Sequence, residues 1–320
     1  MDHTSTLTSG GALALTDWGV MRAHGDDAAS FLQGQLTQDV QLQSAQQARL
    51  VGYCSPKGRL LAVMLAFKPQ ADELLLALPT ELLAPTLKRL SMFVLRARCK
   101  LSAPAADDAA HGWQVWGLAG QAAHQWLGAH APQQTWDASA LPSSSASGRS
   151  AWVTRLPDDG QTPRWQLLWP SDAAAPQLPP LPAEAWQLLE VQSGMAWLRS
   201  ATVEQLVPQM LNLELLGGVN FKKGCYPGQE VVARSQYRGT LKRRTQRLAL
   251  PPGVQAQVGQ ELFHSDDPEQ PAGMVVATAP GQILAELKLA ALASGQVHLA
   301  EASGPVLTLL TLPYEFVDVT

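Results

Sequence analysis

One cysteine is flanked by glycines and lysines, the residue types that favour a reactive thiolate. Cys225 follows Lys222-Lys223-Gly224, and Pro227-Gly228 leads into a sequence with helical character. Nearby cations and a helix N-terminus both stabilise the thiolate, which is the nucleophilic and metal-binding form of cysteine. The glycines indicate a tight backbone turn. The segment therefore predicts a reactive Cys225, with a buried and inert cysteine as the alternative.

The same part of the chain is strongly basic. Residues 221–247 hold eight cations and a single acid, a net charge of +7, whereas the whole chain carries −4. A local positive field of this kind attracts anions. We expect Arg234 and Arg238, the arginines nearest to Cys225 in sequence, to bind the carboxylates of an anionic ligand. A solvated basic surface is the alternative. The cations are Lys222, Lys223, Arg234, Arg238, Lys242, Arg243, Arg244 and Arg247.

Two of the ten tryptophans are candidates for stacking on a ligand. The periodicity predicts a helix from about residue 183 to 195, on which Trp186 and Glu190 share a face. Trp186 lies off the main apolar stripe, so its ring is available to a planar heterocycle. Core packing is the alternative for Trp186. Trp18, beside Gly19, carries no such indication by itself.

Composition narrows the class of protein. The 320 residues are 46% hydrophobic and 16% charged, which is typical of a globular protein of about two domains. The net charge of −4 argues against a protein that coats nucleic acid. Three cysteines without metal-ligand spacing exclude a disulfide scaffold and predict a cytoplasmic setting. The apolar runs are too short to span a bilayer, so no membrane association is expected.

The elements that must position these residues are mixed. A hairpin is predicted around the turn Ser55-Pro56-Lys57-Gly58, and residues 139–150, with six serines, are predicted to be a flexible loop. From Thr245 onward, short strand-like runs separated by Pro, Gly and Asp indicate a small β-barrel. We therefore divide the chain into residues 1–244 and a C-terminal barrel domain, 245–320.

The motif around Cys225 also resembles a known family. Lys223-Gly224-Cys225-Tyr226-Pro227-Gly228-Gln229-Glu230 resembles the signature of the YgfZ family of folate-binding proteins. Further similar segments are Phe31-Leu32-Gln33-Gly34-Gln35, Ser55-Pro56-Lys57-Gly58-Arg59 and Val232-Ala233-Arg234. The resemblance covers nearly the whole chain and is weakest between residues 101 and 183.

The resemblance implies a fold and a function. The fold is α+β and similar to the T-protein of the glycine cleavage system, with two α/β lobes and a C-terminal antiparallel β-barrel around a central opening. The family binds tetrahydrofolate or a derivative, polyglutamylated in cells, and supports assembly or repair of iron–sulfur client proteins. It thereby affects tRNA modification indirectly. A monomer that does not bind nucleic acid directly is expected.

The resemblance also assigns the site residues. Cys225 and Lys223 are the residues needed for function. The predicted folate-binding residues are Trp18, Trp186, Glu190, Gln192, Tyr226, Arg234 and Arg238.

The sequence departs from the aminomethyltransferases at one such position. Their pterin-binding glutamate is replaced by Gln192, which carries no charge and is a weaker anchor. No segment resembles the region of their catalytic aspartate. We therefore expect an accessory protein, with a tetrahydrofolate-dependent one-carbon transferase as the first alternative. A non-catalytic module that docks RNA or protein is the second.

Overall fold

The computed structural model describes residues 9–143, 145–237 and 241–316. The strands are β1 (Gly11–Ala14), β2 (Trp18–His24), β3 (Arg49–Cys54), β4 (Leu60–Gln70), β5 (Glu73–Pro79), β6 (Lys100–Ser102), β7 (Trp113–Ala119), β8 (Ala138–Leu141), β9 (Ala151–Arg155), β10 (Arg164–Pro170), β11 (Arg243–Ala249), β12 (Glu261–His264), β13 (Gly273–Ala279), β14 (Gln282–Lys288), β15 (Val297–Leu299) and β16 (Val306–Leu310). The α-helices are α1 (Ala28–Gln33), α2 (Thr80–Ser91), α3 (Gly120–Leu127), α4 (Ala183–Gln192) and α5 (Gln229–Tyr237), and short 3-10 helices include Ser200–Thr202 and Pro208–Leu211.

The first lobe is built on an antiparallel sheet with the strand order β3-β4-β5-β2-β6. Its interior strand β4, between β3 and β5, contains the apolar run Leu60-Leu61-Ala62-Val63-Met64-Leu65-Ala66-Phe67, nearly all of it buried. A continuous apolar run suits a strand that is covered on both faces. Helix α2 packs against this sheet, and β2 contacts β7 of the second lobe.

The second lobe is a five-stranded sheet with the order β1-β7-β10-β9-β8. The first strand of the chain pairs with β7, which follows the whole first lobe in sequence. Strand β10 is buried along its entire length, including the charged Arg164. Helix α4 follows this sheet in sequence and also contacts β13 and β14.

The C-terminal unit is a closed six-stranded barrel, ordered β11-β14-β13-β12-β15-β16. A barrel was predicted, and the two lobes with a closed antiparallel barrel confirm the predicted fold class. The sequence pattern missed β15, which has only three residues. Strand β11 begins at Arg243, inside the basic segment.

The serine-rich segment is more ordered than predicted. Strand β8 covers residues 138–141, and the Asp172 carboxylate accepts hydrogen bonds from Ser145 Oγ (2.7 Å) and from the Ser147 N–H (2.8 Å). Strand β8 corrects the loop prediction for residues 139–141, whereas residues 142–143 and 145–150 form a loop as predicted, with Asp172 of another segment as a hydrogen-bond partner. None of the helices in the described part of the chain has the length and apolar character needed to cross a lipid bilayer.

Candidate functional site

Cys225 is exposed and lies in an irregular segment, four residues before helix α5 begins. Exposure suits a reactive thiol. The contrast is Cys54 at the end of β3, where burial raises the pKa of the thiol to about 12. Of these two thiols, only the one in the motif is open to solvent.

Two glycines hold the Cys225 segment against the first lobe. Gly228 adopts φ +77°, and a Cβ at this position would lie 2.5 Å from the carbonyl oxygen of Ser55 and 2.6 Å from the Cα of Gly58. Gly58 itself adopts φ +70° and faces Val231 and the carbonyl of Gly228. Because both residues lack a Cβ, the two backbones touch directly. Gly224, in contrast, has open space around it.

Lys223 points inward rather than toward solvent. Its ammonium group donates hydrogen bonds to the carbonyls of Gln33 and Leu36 (2.6 Å to the latter), just after helix α1. Burial lowers the pKa of Lys223 to about 8, while Asp39 and Cys225 oppose this shift. The described geometry gives Lys223 the role of fastening the motif to the α1 end.

Tyr226 is the buried aromatic residue of the same segment. The phenol ring is buried, and the Lys223 ammonium lies 5.2 Å from its centroid. Burial raises the pKa of Tyr226, with the nearby Cys54 as a smaller contribution in the same direction. The predicted folate-binding role of Tyr226 stays a prediction, and the contacts of its ring are to the motif and to the first lobe.

Trp18 lines a cavity of about 580 Å³ between the two sheets. Trp113 and Val115 of β7 line the same cavity. A cavity of this size and mixed lining is typical of small-molecule sites. Trp18 also meets Trp197 edge to face, with ring centroids 4.7 Å apart.

Trp197 connects Trp18 to the predicted residues of helix α4. The Trp197 Nε1–H donates a hydrogen bond to Glu190 Oε1 at 3.0 Å, and Arg164 lies 3.9 Å from the same oxygen. Burial raises the pKa of Glu190, and Arg164 opposes the shift. Glu190 and Trp197 also line a second cavity, of about 350 Å³, which reaches Val276 of the barrel.

Trp186 is part of the core as the chain is folded here. The side chain is 3% exposed, and a Cβ at Gly117 would lie 2.8 Å from its ring atoms. The Arg164 guanidinium lies 5.3 Å from the ring centroid. Arg164 is itself fully buried, and this burial lowers the pKa of its guanidinium to about 10. Trp186 therefore supports Arg164 and, through it, Glu190.

Gln192 contacts different groups from Glu190. Its main-chain carbonyl accepts a hydrogen bond from Arg247 at 3.3 Å. Its side-chain Oε1 is buried, and no donor among the described residues reaches it. Unpartnered buried acceptors are costly, so this oxygen suits a ligand N–H donor.

Much of the predicted positive field is neutralised within the fold. Arg243 forms an ion pair with Glu286 (2.8 Å), and Arg244 forms one with Glu214 (2.7 Å), both acids being buried. Neither acid lies in the basic segment, so local sequence did not reveal the pairs. The cations that stay exposed are Lys222, Arg234 and Lys242, and Arg238 lies outside the described residues.

The topology brings the Cys225 segment and Trp18 to the same end of the strands in the first sheet. Because neighbouring strands run antiparallel, the last residue of β3, Cys54, and the first residue of β2, Trp18, lie at the same end of the strands. Three strand spacings separate them, which is about 14 Å. Arg59, just beyond the turn at Gly58, lines a further polar cavity of about 570 Å³ that reaches the barrel.

Comparison with known proteins decides the family. The "tRNA-modifying protein YgfZ" of Edwardsiella ictaluri is 33% identical over 248 residues, covering 72% of this chain and 68% of the relative. The chain belongs to the YgfZ family. The YgfZ proteins of Hamiltonella defensa (32% over 240 residues, 72% of this chain and 67% of the relative) and Klebsiella pneumoniae (29% over 291 residues, 86% and 84%) are also similar. No protein-family model matches the sequence.

The fold of this YgfZ-family chain is that of a T-protein. The crystal structure of the glycine cleavage system aminomethyltransferase T from Bartonella henselae superposes with a TM-score of 0.75 at 14% identity. The match covers 99% of this chain and 89% of the other. The predicted T-protein-like architecture is therefore confirmed.

The sequence reasoning for this YgfZ-family chain missed three residues of the site. Trp197, Arg164 and Arg199 contact or lie near the predicted residues, and Arg199 binds Asp17 at 2.8 Å beside Trp18. The sequence does contain an indication for Arg164, a single arginine at the start of the apolar strand β10. It contains no indication for Trp197, because its partner Trp18 lies about 180 residues earlier in the chain.

Proposed function

We propose that this protein binds a reduced folate between its two lobes and supports iron–sulfur cluster assembly or repair in client proteins of the cytoplasm. Cys225 is the reacting group, and tRNA modification is affected through one of the clients. The observation that carries the proposal is the position of the exposed Cys225. The contact between Gly58 and Gly228 holds its segment at the end of the first sheet where Trp18 lines the cavity.

The residues present fit a folate. The cavity at Trp18 has the volume of a small-molecule site, and Trp18 and Trp113 supply aromatic surface for a flat ring. Gln192 Oε1 lies outside the lining of this cavity, but it is a buried acceptor without a donor among the described residues, and the pterin ring carries N–H donors. The reduced folate, when bound, supplies the one-carbon and redox chemistry of its ring.

The chain's own residues position and shield such a ligand. Trp197 fixes the Glu190 carboxylate through its indole N–H, and Arg164 keeps a cation beside it. Trp186 holds Arg164 from below. Both rings are buried, but Trp18 lines the cavity and Trp186 does not. We therefore assign Trp18 to direct contact with the ligand and Trp186 to positioning, a division that the sequence alone did not make.

Complementation tests the function. A bacterium lacking its YgfZ protein receives wild type, Cys225→Ala or Cys99→Ala, and the activity of an iron–sulfur enzyme is measured. Wild type and Cys99→Ala are expected to restore activity, because Cys99 is half-buried and outside the motif. Restoration by Cys225→Ala would contradict the proposal.

Fluorescence tests the ligand. Tetrahydrofolate is expected to quench tryptophan emission, and Trp18→Leu is expected to weaken binding at least tenfold. Trp126→Leu is the matched control, because Trp126 lies on α3 and packs against Trp169. Unchanged affinity in Trp18→Leu would remove Trp18 from the site.

A further inference from the structure

An exposed face surrounds Cys225 and is formed by three separate segments. Lys57 comes from the turn between β3 and β4, Lys222 and Cys225 from the motif, and Arg234 from helix α5. The contact of Gly58 with Gly228 fixes the turn against the motif. Lys57, Lys222 and Arg234 are exposed, and no acid in the described part of the chain lies within ion-pair distance of them.

Helix α5 adds apolar surface to this face. Val231 is 39% exposed and Tyr237 54% exposed, although Val232 between them is fully buried. Positions 230, 231, 234 and 237 fall on one side of a helix. Tyr237 stands edge-on against Phe221, with ring centroids 5.6 Å apart. Exposed apolar and aromatic residues beside arginine are typical of protein interfaces.

We infer that this face, formed by Lys57, Lys222, Cys225, Val231, Arg234 and Tyr237 and here called the Cys225 face, docks an acidic segment of a client protein. The charge of the face opposes that of an acidic partner: its cations are Lys57, Lys222 and Arg234, and Glu230, the one acid of helix α5, lies beside them. The aliphatic Val231 and the edge-on Tyr237 favour a protein over RNA, which requires flat stacking surfaces. The inference rests on the proposed function for its choice of Cys225 as the reacting group.

Two peptide probes test the docking. Each carries one cysteine activated as a 2-pyridyl disulfide, flanked by aspartates in one peptide and by lysines in the other. The Cys225 thiolate attacks the peptide sulfur, a new disulfide forms, and 2-thiopyridone leaves, so one disulfide replaces another without net oxidation. The release of 2-thiopyridone gives the rate, and Cys225→Ser supplies the background from the other cysteines.

The acidic peptide is expected to react about tenfold faster than the lysine peptide at low salt. The preference is expected to fall toward unity at about 0.5 M salt because exposed charges are then screened. Arg234→Glu is expected to abolish it. Lys100→Glu is the matched control, since Lys100 lies on edge strand β6, across the sheet from β3. Tyr237→Ala is expected to slow an acidic peptide that carries a leucine more than one that carries a serine.

Equal rates for the two peptides at low salt would overturn the inference. A second result would also overturn the inference: tRNA or tetraglutamyl folate slows the reaction of Cys225 with the probes, whereas an unactivated acidic peptide does not. The face would then be assigned to that ligand. A different result would contradict the proposed function. Complementation by Cys225→Ala would exclude Cys225 as the reacting group, but it would not change the preference for the acidic peptide.

Discussion

At the scale of single residues, Cys225 and Cys54 occupy opposite environments a short distance apart. Cys225 is exposed in the motif, whereas Cys54 is buried at the end of β3. We expect Cys225→Ala to change the free energy of unfolding by less than about 0.5 kcal/mol, because surface substitutions rarely cost more. Cys54→Ala is expected to cost about 1 kcal/mol or more through the cavity that it leaves. Urea unfolding measures both, and a large loss in Cys225→Ala would indicate a structural role.

Lys223 gives the protein a pH-dependent contribution to stability. Its pKa is about 8 in the folded state against 10.5 for the free side chain. Between these values the unfolded chain binds more protons than the folded one, so the free energy of unfolding rises with pH. Wild type should therefore gain stability relative to Lys223→Met as the pH increases from about 8 to 10.5. The difference should stay constant below pH 8. A difference that is flat across the whole range would contradict the buried ammonium.

The sequence predicted the exposed positive charge around the motif only in part. Adjacent lysines indicated a positive field, and Lys222 is indeed exposed. Lys223 points inward because its acceptors are carbonyls nearly 190 positions earlier in the chain. Arg243 and Arg244 were likewise counted as field charges, but Glu286 and Glu214 neutralise them. Local composition cannot reveal partners of this kind.

At the scale of elements, the turn at Gly58 and the start of α5 act as one unit. Gly228→Ala places a Cβ 2.5 Å from the Ser55 carbonyl on a backbone with positive φ. We expect a loss of about 1–3 kcal/mol in the free energy of unfolding and a loss of complementation. Gly224→Ala is the matched control from the same motif, because nothing lies within 4 Å of its added Cβ. Equal effects of the two substitutions would argue against the close contact.

Element boundaries followed the strength of the sequence pattern. The helix predicted from residue 183 and the hairpin at residues 55–58 appear where the periodicity and turn residues indicated them. Strand β15 was missed because three residues are too few to establish an alternation. In the serine-rich stretch only residues 139–141 differ from the prediction, because they pair with β9 as strand β8, a partner that local composition does not reveal.

At the scale of the whole molecule, one buried cluster joins the barrel to the lobes. Arg244 of β11 pairs with Glu214 and bonds Asn212 Oδ1, and the Asn212 side chain also bonds Tyr314. Removing one partner of a buried pair leaves an uncompensated charge, so Glu214→Ala is expected to cost about 3–5 kcal/mol. The Glu214→Leu, Arg244→Met double variant is expected to recover most of this loss. Denaturant unfolding of wild type, Glu214→Ala and the double variant measures this recovery, and a double variant that is no more stable than Glu214→Ala would contradict the coupling.

We predict that the protein lacks the aminomethyltransferase activity of the structural neighbour whose fold it shares. We expect turnover far below about 1 per second in a reconstituted glycine-cleavage assay. The physical reason is Gln192, which lacks the charge of the pterin-binding acid in the aminomethyltransferases. Gln192→Glu is the informative variant for folate affinity, which it should raise. Turnover by the wild type at the rate of ordinary enzymes would make the protein a one-carbon transferase.

The position of β1 in the second sheet has a consequence for how the chain is made. β1 leaves the ribosome before its partner β7, which follows about a hundred residues later. Synthesis adds about 5–20 residues per second, so this strand waits several seconds with its hydrogen-bonding groups unpaired. The first lobe, contained in β2 to β6, is complete during that wait. Nascent chains are therefore exposed to edge-to-edge association through β1 until β7 has been synthesised, and a chaperone that binds β1 during this interval would protect them.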